Sequence, residues 1–418
     1  MIKVITYGTF DLLHYGHLRL LERAKSLGDY LIVGITSDDF DKTRGKINNQ
    51  QSLMERIIAI KATGLADEII VEEYEGQKID DIKRLDVDIF TLGSDWTGKF
   101  DYLNEYCKVI YLDRTEGISS SEIRSESRKI KIKVIGSSNV AKKFINESKF
   151  INGVEITNID EDSYYLVSNP ENHYELIKSY LINNKNVLCE SPIALNSNQC
   201  IELFKLANDN NCLLFDGIKT AYSIAYSRLL LLVKSGKIGE VVSVDVTCTS
   251  MKDFIDNDFI GDKWNTMCAW GPTALLPIFQ ILGTEYKEKT IVTKYLDKVN
   301  KFDGFTKINF IYNKAVASLK IAQKAKSEGE LVITGTKGYI YVPAPWWKTD
   351  YFEVRYEDFA NNKRYYYQLD GEGIRYEIAA FAKTIGTTRN FSNIDKNVSI
   401  AICKIIEEYY NGCVIEIE

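Results

Sequence analysis

Residues 5–29 read ITYGTFDLLHYGHLRLLERAKSLGD, and this stretch decides how the chain begins to fold. It opens as the apolar strand KVITYG, passes through a glycine-punctuated turn, and ends in HLRLLERAKSLG, whose apolar residues recur at helical spacing up to Gly28. The protein has three histidines, and two of them, His14 and His17, stand at the mouth of that helix. Backbone amides at a helix N-terminus attract anions, and Gly8 and Gly16 admit a phosphate close to the backbone. Imidazoles there donate hydrogen bonds to phosphoryl oxygens and stabilise charge developing at phosphorus during transfer. Strand, turn, paired histidines and helix together read as a nucleotide phosphate site.

The same rhythm continues outward. YLIVGIT, SLMERIIAIKATG, EIIVEE, IDDIKRL, DIFTLG and VIYLD alternate strand and helix, which predicts a doubly wound parallel sheet with helices on both faces. It breaks at the polar SSSEIRSESRKIK, so a boundary is expected near Arg128. Beyond it, IKVIG, YYLVSNP, NVLCES and CLLFDG are strands between helices, while after Tyr222 the segments become β-rich and alternating, as in an open, mostly antiparallel sheet. Helical periodicity returns in IRYEIAAFAKTIG and NVSIAICKIIEEYYNG. The expected fold class is α/β, with domains at residues 1–128, 129–222 (a shortened Rossmann-like domain) and 223–418 (an α+β open-sheet domain that takes in the closing helices).

At 418 residues the chain exceeds one ordinary core. Its 45% apolar and 26% charged residues are those of a globular protein, and a net charge of −6 offers no electrostatic reason to expect nucleic acid. No apolar run reaches bilayer length and no signal peptide precedes Met1, so no membrane association and a cytoplasmic location are expected. Eight scattered cysteines without a CxxC pair read as buried thiols in a reducing compartment.

GTFDLLHYGH fits the GxFDxxHxGH signature of the cytidylyltransferase-like nucleotidyltransferases. Together with GSDWTGKFD (residues 93–101) and RTEGISSSEIR (residues 114–124), residues 1–126 resemble the glycerol-3-phosphate cytidylyltransferases. The resemblance implies attack by a polyol phosphate on the α-phosphorus of CTP, with loss of pyrophosphate and Mg2+ as charge partner. It puts the triphosphate against Thr9, Phe10, His14, Gly16 and His17, with His14, His17, Lys46 and Arg114 in the catalytic role. Gly93, Asp95, Trp96, Arg114, Thr115, Gly117, Ile118, Ser119 and Ser120 would surround the nucleotide. Asp11, Asp38, Arg44, Lys46 and Arg56 would face the polyol phosphate, with Asp11 as a metal ligand. RTEGISS together with DWTGKFD favours cytidine over adenine. CDP-glycerol-type products of this family feed cell-wall or capsule polymers, and we expect a homodimer.

Residues from about 130 onward resemble the Gfo/Idh/MocA oxidoreductases, in VSNPENHYELIKSYLINNKNVLCESPIALNSNQ and LLLLVKSGKIGEVVSVDV. Four features depart from that family. Gly136-Ser137-Ser138 puts serine where the dinucleotide turn wants its second glycine. Too little chain lies between Gly136 and Pro170 for a full second βαβ unit, and Asp160 stands poorly for the ribose-binding acid. The catalytic lysine of the family corresponds to Ser191, and its histidine and the preceding aspartate to Thr273 and Ala269. NAD(P) is therefore not expected, although Lys219 or His173 offers a replacement proton donor. A bifunctional reductase–cytidylyltransferase is the alternative. An assembly protein carrying both parts as binding modules is disfavoured by the intact histidine motif.

Overall fold

The computed structural model describes all residues except 44–48, 75, 114–128, 152, 252–264, 368 and 388–389. The chain divides into two compact units, Met1–Lys129 and Ile130–Glu418. No described helix is long and apolar enough to cross a membrane.

In the first unit, β1 (Lys3–Gly8), β2 (Tyr30–Thr36), β3 (Glu68–Glu72), β4 (Ile89–Gly93) and β5 (Lys108–Leu112) form one parallel sheet in the order β3-β2-β1-β4-β5. Successive strand residues face opposite sides, and each side is apolar. Val4, Leu31, Val33 and Ile35 pack on one face with Leu21 and Ala24 of α1 (Tyr15–Ser26) and Ile60 of α3 (Leu53–Ala62). Ile5, Tyr7, Ile32 and Phe90 pack on the other with Ile82 of α4 (Gln77–Leu85). The short helix α2 (Asp38–Thr43) follows β2. Ser52 and Glu55 close a capping box at the start of α3, fixing where that helix begins.

The second unit opens with another parallel sheet, β6 (Ile130–Ile135), β7 (Val154–Ile156), β8 (Ser163–Leu166), β9 (Asn186–Glu190) and β10 (Leu214–Gly217), in the order β10-β9-β8-β6-β7. Helices α5 (Asn139–Ser148), α6 (His173–Ile182) and α7 (Ser197–Asp209) flank it. Between β7 and β8 there is no helix, only the connection 157–162, and β7 is three residues long, so the shortening read from the sequence is physical.

After α8 (Ile224–Lys234) the chain builds a nine-stranded mixed sheet, in which β11 (Val241–Ser250) lies parallel to β14 (Val316–Gln323) while most other neighbours are antiparallel. Helix α9 (Thr266–Leu282), with Pro272 and Pro277 inside it, is buried along most of its length. The closing helices are α10 (Ile374–Thr387) and α11 (Lys396–Tyr410). Glu407 of α11 accepts hydrogen bonds from Ser197 N (3.0 Å) and Oγ (2.8 Å), and Cys403 enters the core under β8 and β9, so the last helix returns to the Rossmann-like layer. All eight cysteines are thiols; five are buried, whereas Cys107 and Cys212 are half-buried and Cys413 is exposed, contrary to the expectation of burial throughout.

Candidate active site

The turn after β1 is shaped by its backbone. Phe10 (φ 52) and Leu12 (φ 48) both adopt the left-handed conformation, which folds the chain back over the strand end. The Phe10 ring lies under Gly8, where an added Cβ would come within 3.0 Å of it. Asp11 is buried and accepts the amides of Gln50 (3.0 and 3.1 Å) and Gln51 (2.9 Å), and Leu12 N donates to Gln51 Oε1 (2.9 Å). These bonds tie the turn to residues 49–51, which lead into α3.

His14 is the N-cap of α1, its Nδ1 accepting from Gly16 N at 3.0 Å. A nitrogen that accepts carries no proton, so in this arrangement the ring proton sits on Nε2, which is the donor. The His17 ring stacks on His14 at 3.9 Å between centroids and meets Phe10 edge-on at 5.4 Å. Phe10, expected against the triphosphate, is 2% exposed, and its ring backs His17.

Arg56, expected among the phosphate contacts, has other partners in this structure. Its side chain is fully buried. Nη1 donates to the carbonyls of Thr9 (2.7 Å) and Thr36 (2.9 Å), Nε to Gln51 O (3.3 Å), and the guanidinium pairs with Asp38 and lies 4.0 Å from buried Asp41. A guanidinium spent this way clamps the ends of β1 and β2 to the start of α3. Asp38 is taken up by that pair and by the amide of Leu53 (3.1 Å). Thr9 Oγ1 donates to Asp41 (2.9 Å), as does Asn49 Nδ2 (3.0 Å). Asp41, Asn49 and Gln51 escaped the sequence reading because polar residues in a polar run look like a solvated loop. Their one available signal was position, between a site strand and a capped helix.

Asp11, the expected metal ligand, holds backbone amides with its carboxylate in this structure. Gly93 ends β4, and Ser94–Trp96 follow as a 3-10 turn that carries Asp95. Trp96 packs at 5.8 Å from Phe100, with the Lys99 ammonium 5.0 Å over its ring. The register Thr6↔Thr91, counted onward, brings Gly8 level with Gly93 on the neighbouring strand. Strand order reverses between β1 and β4, so the histidine turn and the Gly93 turn flank the crevice where open α/β sheets bind ligands. Arg44, Lys46, Arg114, Thr115, Gly117, Ile118, Ser119 and Ser120 lie outside the described residues.

At the corresponding place in the second unit the parts differ. Gly136 (φ 126) has to be glycine, since a Cβ would sit 1.9 Å from Val167 O. Ser138 caps α5, its hydroxyl accepting Ala141 N at 3.2 Å where a pyrophosphate would take the helix amides. Ala269 and Thr273 lie one turn apart on α9. His173 opens α6 and is buried there. It is 1% exposed, with Nδ1 2.8 Å from Pro192 O and Nε2 3.0 Å from Ser168 O, and burial pushes its pKa down to about 4. It is a packing group, out of reach for proton transfer.

Half-buried Glu190, at the end of β9, lies with the buried acids Asp216, on β10, and Glu377, and Tyr165 OH donates to Glu190. Burial raises Glu190 to about 7 and Asp216 to about 6, and holds Glu377 well above the carboxylate range. The folded state thus keeps protons that the unfolded chain releases near pH 4. This contribution to stability is whole below about pH 4 and is lost as pH rises to about 7. Urea midpoints at pH 4.5 and 7.5 should fall more for the wild type than for Glu190→Gln/Asp216→Asn. Equal falls would contradict the assignment.

The sequence profile of the Cytidylyltransferase-like family matches residues 5–126, and that of the Oxidoreductase family, NAD-binding Rossmann fold, matches residues 136–218. Glycerol-3-phosphate cytidylyltransferase of Bacillus spizizenii is 53% identical over 126 residues, which are 30% of this chain and 97% of that protein. The same-named protein of Staphylococcus aureus is 48% identical over 126 residues, 30% of this chain and 95% of its own. Among solved structures, a variant 3-ketoreductase from Actinomadura kijaniata, in complex with TDP-benzene and NADP, aligns with TM-score 0.60 at 15% identity, covering 69% of this chain and 99% of its own. A UDP-N-acetylglucosamine 3-dehydrogenase from Acidithiobacillus ferrooxidans aligns with TM-score 0.57 at 13% identity, covering 68% and 98%. At such identities these two likenesses speak for the fold of the second unit alone.

Proposed function

This chain belongs to the cytidylyltransferase-like nucleotidyltransferases through its first 126 residues, and from that premise we propose that it transfers CMP from CTP to a small polyol phosphate, glycerol 3-phosphate above all. The observation that carries the proposal is the histidine pair at the N-terminus of α1, beside the strand-order reversal between β1 and β4. A phosphate oxygen of the acceptor attacks the α-phosphorus, the bond to the β-phosphate oxygen breaks, and pyrophosphate leaves. No protein nucleophile takes part, so rate enhancement comes from positioning and from donors aimed at the phosphoryl oxygens. His14 donates through Nε2–H, because Gly16 N–H holds its Nδ1. His17, stacked on His14 and backed by Phe10, is a second donor. Mg2+ belongs to the proposal as the counter-ion that travels with the triphosphate.

We further propose that the second unit does not transfer hydride. Support comes from the Ser138 hydroxyl at the helix mouth, from Ser191 in the lysine position, and from the helix-free step between β7 and β8. Pyrophosphate release measured with glycerol 3-phosphate and each nucleoside triphosphate in turn tests the nucleotide choice. CTP should exceed ATP by at least about 100-fold in kcat/KM, as a site that hydrogen-bonds one base rejects another. Turnover with ATP alone would overturn the cytidylyl assignment.

A further inference from the structure

Three lysines from separate parts of the second unit converge on one carboxylate. Lys143 Nζ, on α5, lies 3.0 Å from Glu372 Oε2; Lys219 Nζ, just after β10, lies 2.9 Å from the same oxygen; Lys348 Nζ lies 2.6 Å from Oε1. Glu372 reaches them from a left-handed backbone (φ 55) that glutamate rarely adopts, between Gly371 and Gly373, both also at positive φ. Among the described residues none of the three lysines has a second acid within ion-pair distance. Three ammoniums against one carboxylate leave a net positive cluster of partly exposed side chains. A phosphomonoester dianion matches that charge and offers more acceptor oxygens to the ammonium donors than a carboxylate does.

Next to this cluster lie buried polar groups that are incompletely satisfied. Glu377, on α10 and buried, has neither carboxyl oxygen hydrogen-bonded, and the Asp216 carboxyl has only the Ser191 and Ser399 hydroxyls beside it. Lys219 interacts electrostatically with Glu190 and Glu377 as well as with Glu372, so it stands between the lysine cluster and these acids. Buried polar atoms are normally hydrogen-bonded, and hydroxyl groups, which both donate and accept, would satisfy protonated acids.

We propose that Lys143, Lys219 and Lys348 form the phosphate end of a small polyol-phosphate site, that Glu190, Asp216 and Glu377 form its hydroxyl end, and that Glu372 is an internal occupant which the ligand displaces. The ligand class rests on the nucleotidyl-transfer reading, whose acceptor is such a molecule. The second unit then holds the acceptor, or a close relative of it, on the chain that activates it.

The test is calorimetric titration of the full chain, without nucleotide, using glycerol 3-phosphate in one arm and inorganic phosphate in the other. The expected result is two classes of glycerol 3-phosphate site. Glu372→Gln should tighten one of them on the order of tenfold by removing the competitor, and Lys143→Met, a change at a half-exposed side chain, should weaken the same class about tenfold or more through loss of a charge-assisted bond. Isotherms unchanged by both variants would overturn the proposal, and inorganic phosphate binding as tightly as glycerol 3-phosphate would overturn its hydroxyl end. Pyrophosphate release by the same preparations, expected at wild-type kcat, reports separately on the first unit. If it is absent while the two variants still shift binding, the nucleotidyl-transfer reading fails and the lysine site stands.

Discussion

His17→Ala should lower kcat for pyrophosphate release by about 100- to 1,000-fold, the range seen when one preorganised donor to a developing phosphoryl or oxyanion charge is removed. The protein should stay folded. His17 lies in the first turn of α1, alanine is the better helix former, and the anchors of that helix are Leu21 and Ala24 in the core together with the His14 cap. KM for CTP should move much less than kcat, because the lost interaction strengthens as charge develops in transfer. His14→Ala differs in a way that separates the two residues. It removes a donor and the cap together, so it should also cost about 1 kcal/mol of stability, read as a lower urea midpoint that His17→Ala does not share. His14→Asn restores an acceptor for the Gly16 amide; it should recover the midpoint and leave turnover low. Turnover that survives His17→Ala unchanged would show that the phosphate lies elsewhere.

How much of this was legible beforehand differs by region. The strands of the first unit could be read almost residue by residue, because each is a short apolar run bounded by Gly, Asp or Ser and the helices between them keep their 3.6 period. The histidine turn was legible for the same reason: glycines and imidazoles packed between a strand and a helix have few other uses. The supports behind that turn were not legible. Asp41, Asn49, Gln51 and Arg56 come from one polar run, and nothing in their spacing distinguishes a buried clamp from a solvated loop. Helix α9 was missed because it is apolar on every side and carries Pro272 and Pro277, so it has no amphipathic period and two apparent breakers. The lysine cluster on Glu372 lay beyond sequence reading altogether. Positions 143, 219, 348 and 372 come together only once α5, β10, the chain after Trp346 and Trp347, and the loop before α10 are folded onto one another.

Arg56 carries the second large prediction, and its effect should appear in stability before it appears in catalysis. The guanidinium is fully buried, and it satisfies two carbonyls that end the strands next to the site, Thr9 and Thr36, while balancing Asp38 and Asp41. Asp41 is itself fully buried, and Thr9 and Asn49 hydrogen-bond to it. Removing the cation leaves that carboxylate in a low-dielectric interior beside two orphaned carbonyls, a change that typically costs 3–5 kcal/mol, on the order of half the stability of a domain this size. Arg56→Ala should therefore lower the unfolding midpoint of the first unit steeply, and Arg56→Lys should recover little of it, because one ammonium cannot reach both carbonyls and both carboxylates from a single point. Arg56→Met/Asp41→Leu removes charge on both sides; it should unfold less readily than Arg56→Ala, since an apolar replacement of a buried pair is far less costly than a broken one. None of the three should change the sheet order, and all three should slow turnover by loosening Thr9 and the turn that carries His14. An Arg56→Ala protein with wild-type stability and a raised KM for the polyol phosphate alone would return Arg56 to the substrate side of the site and remove it from the clamp.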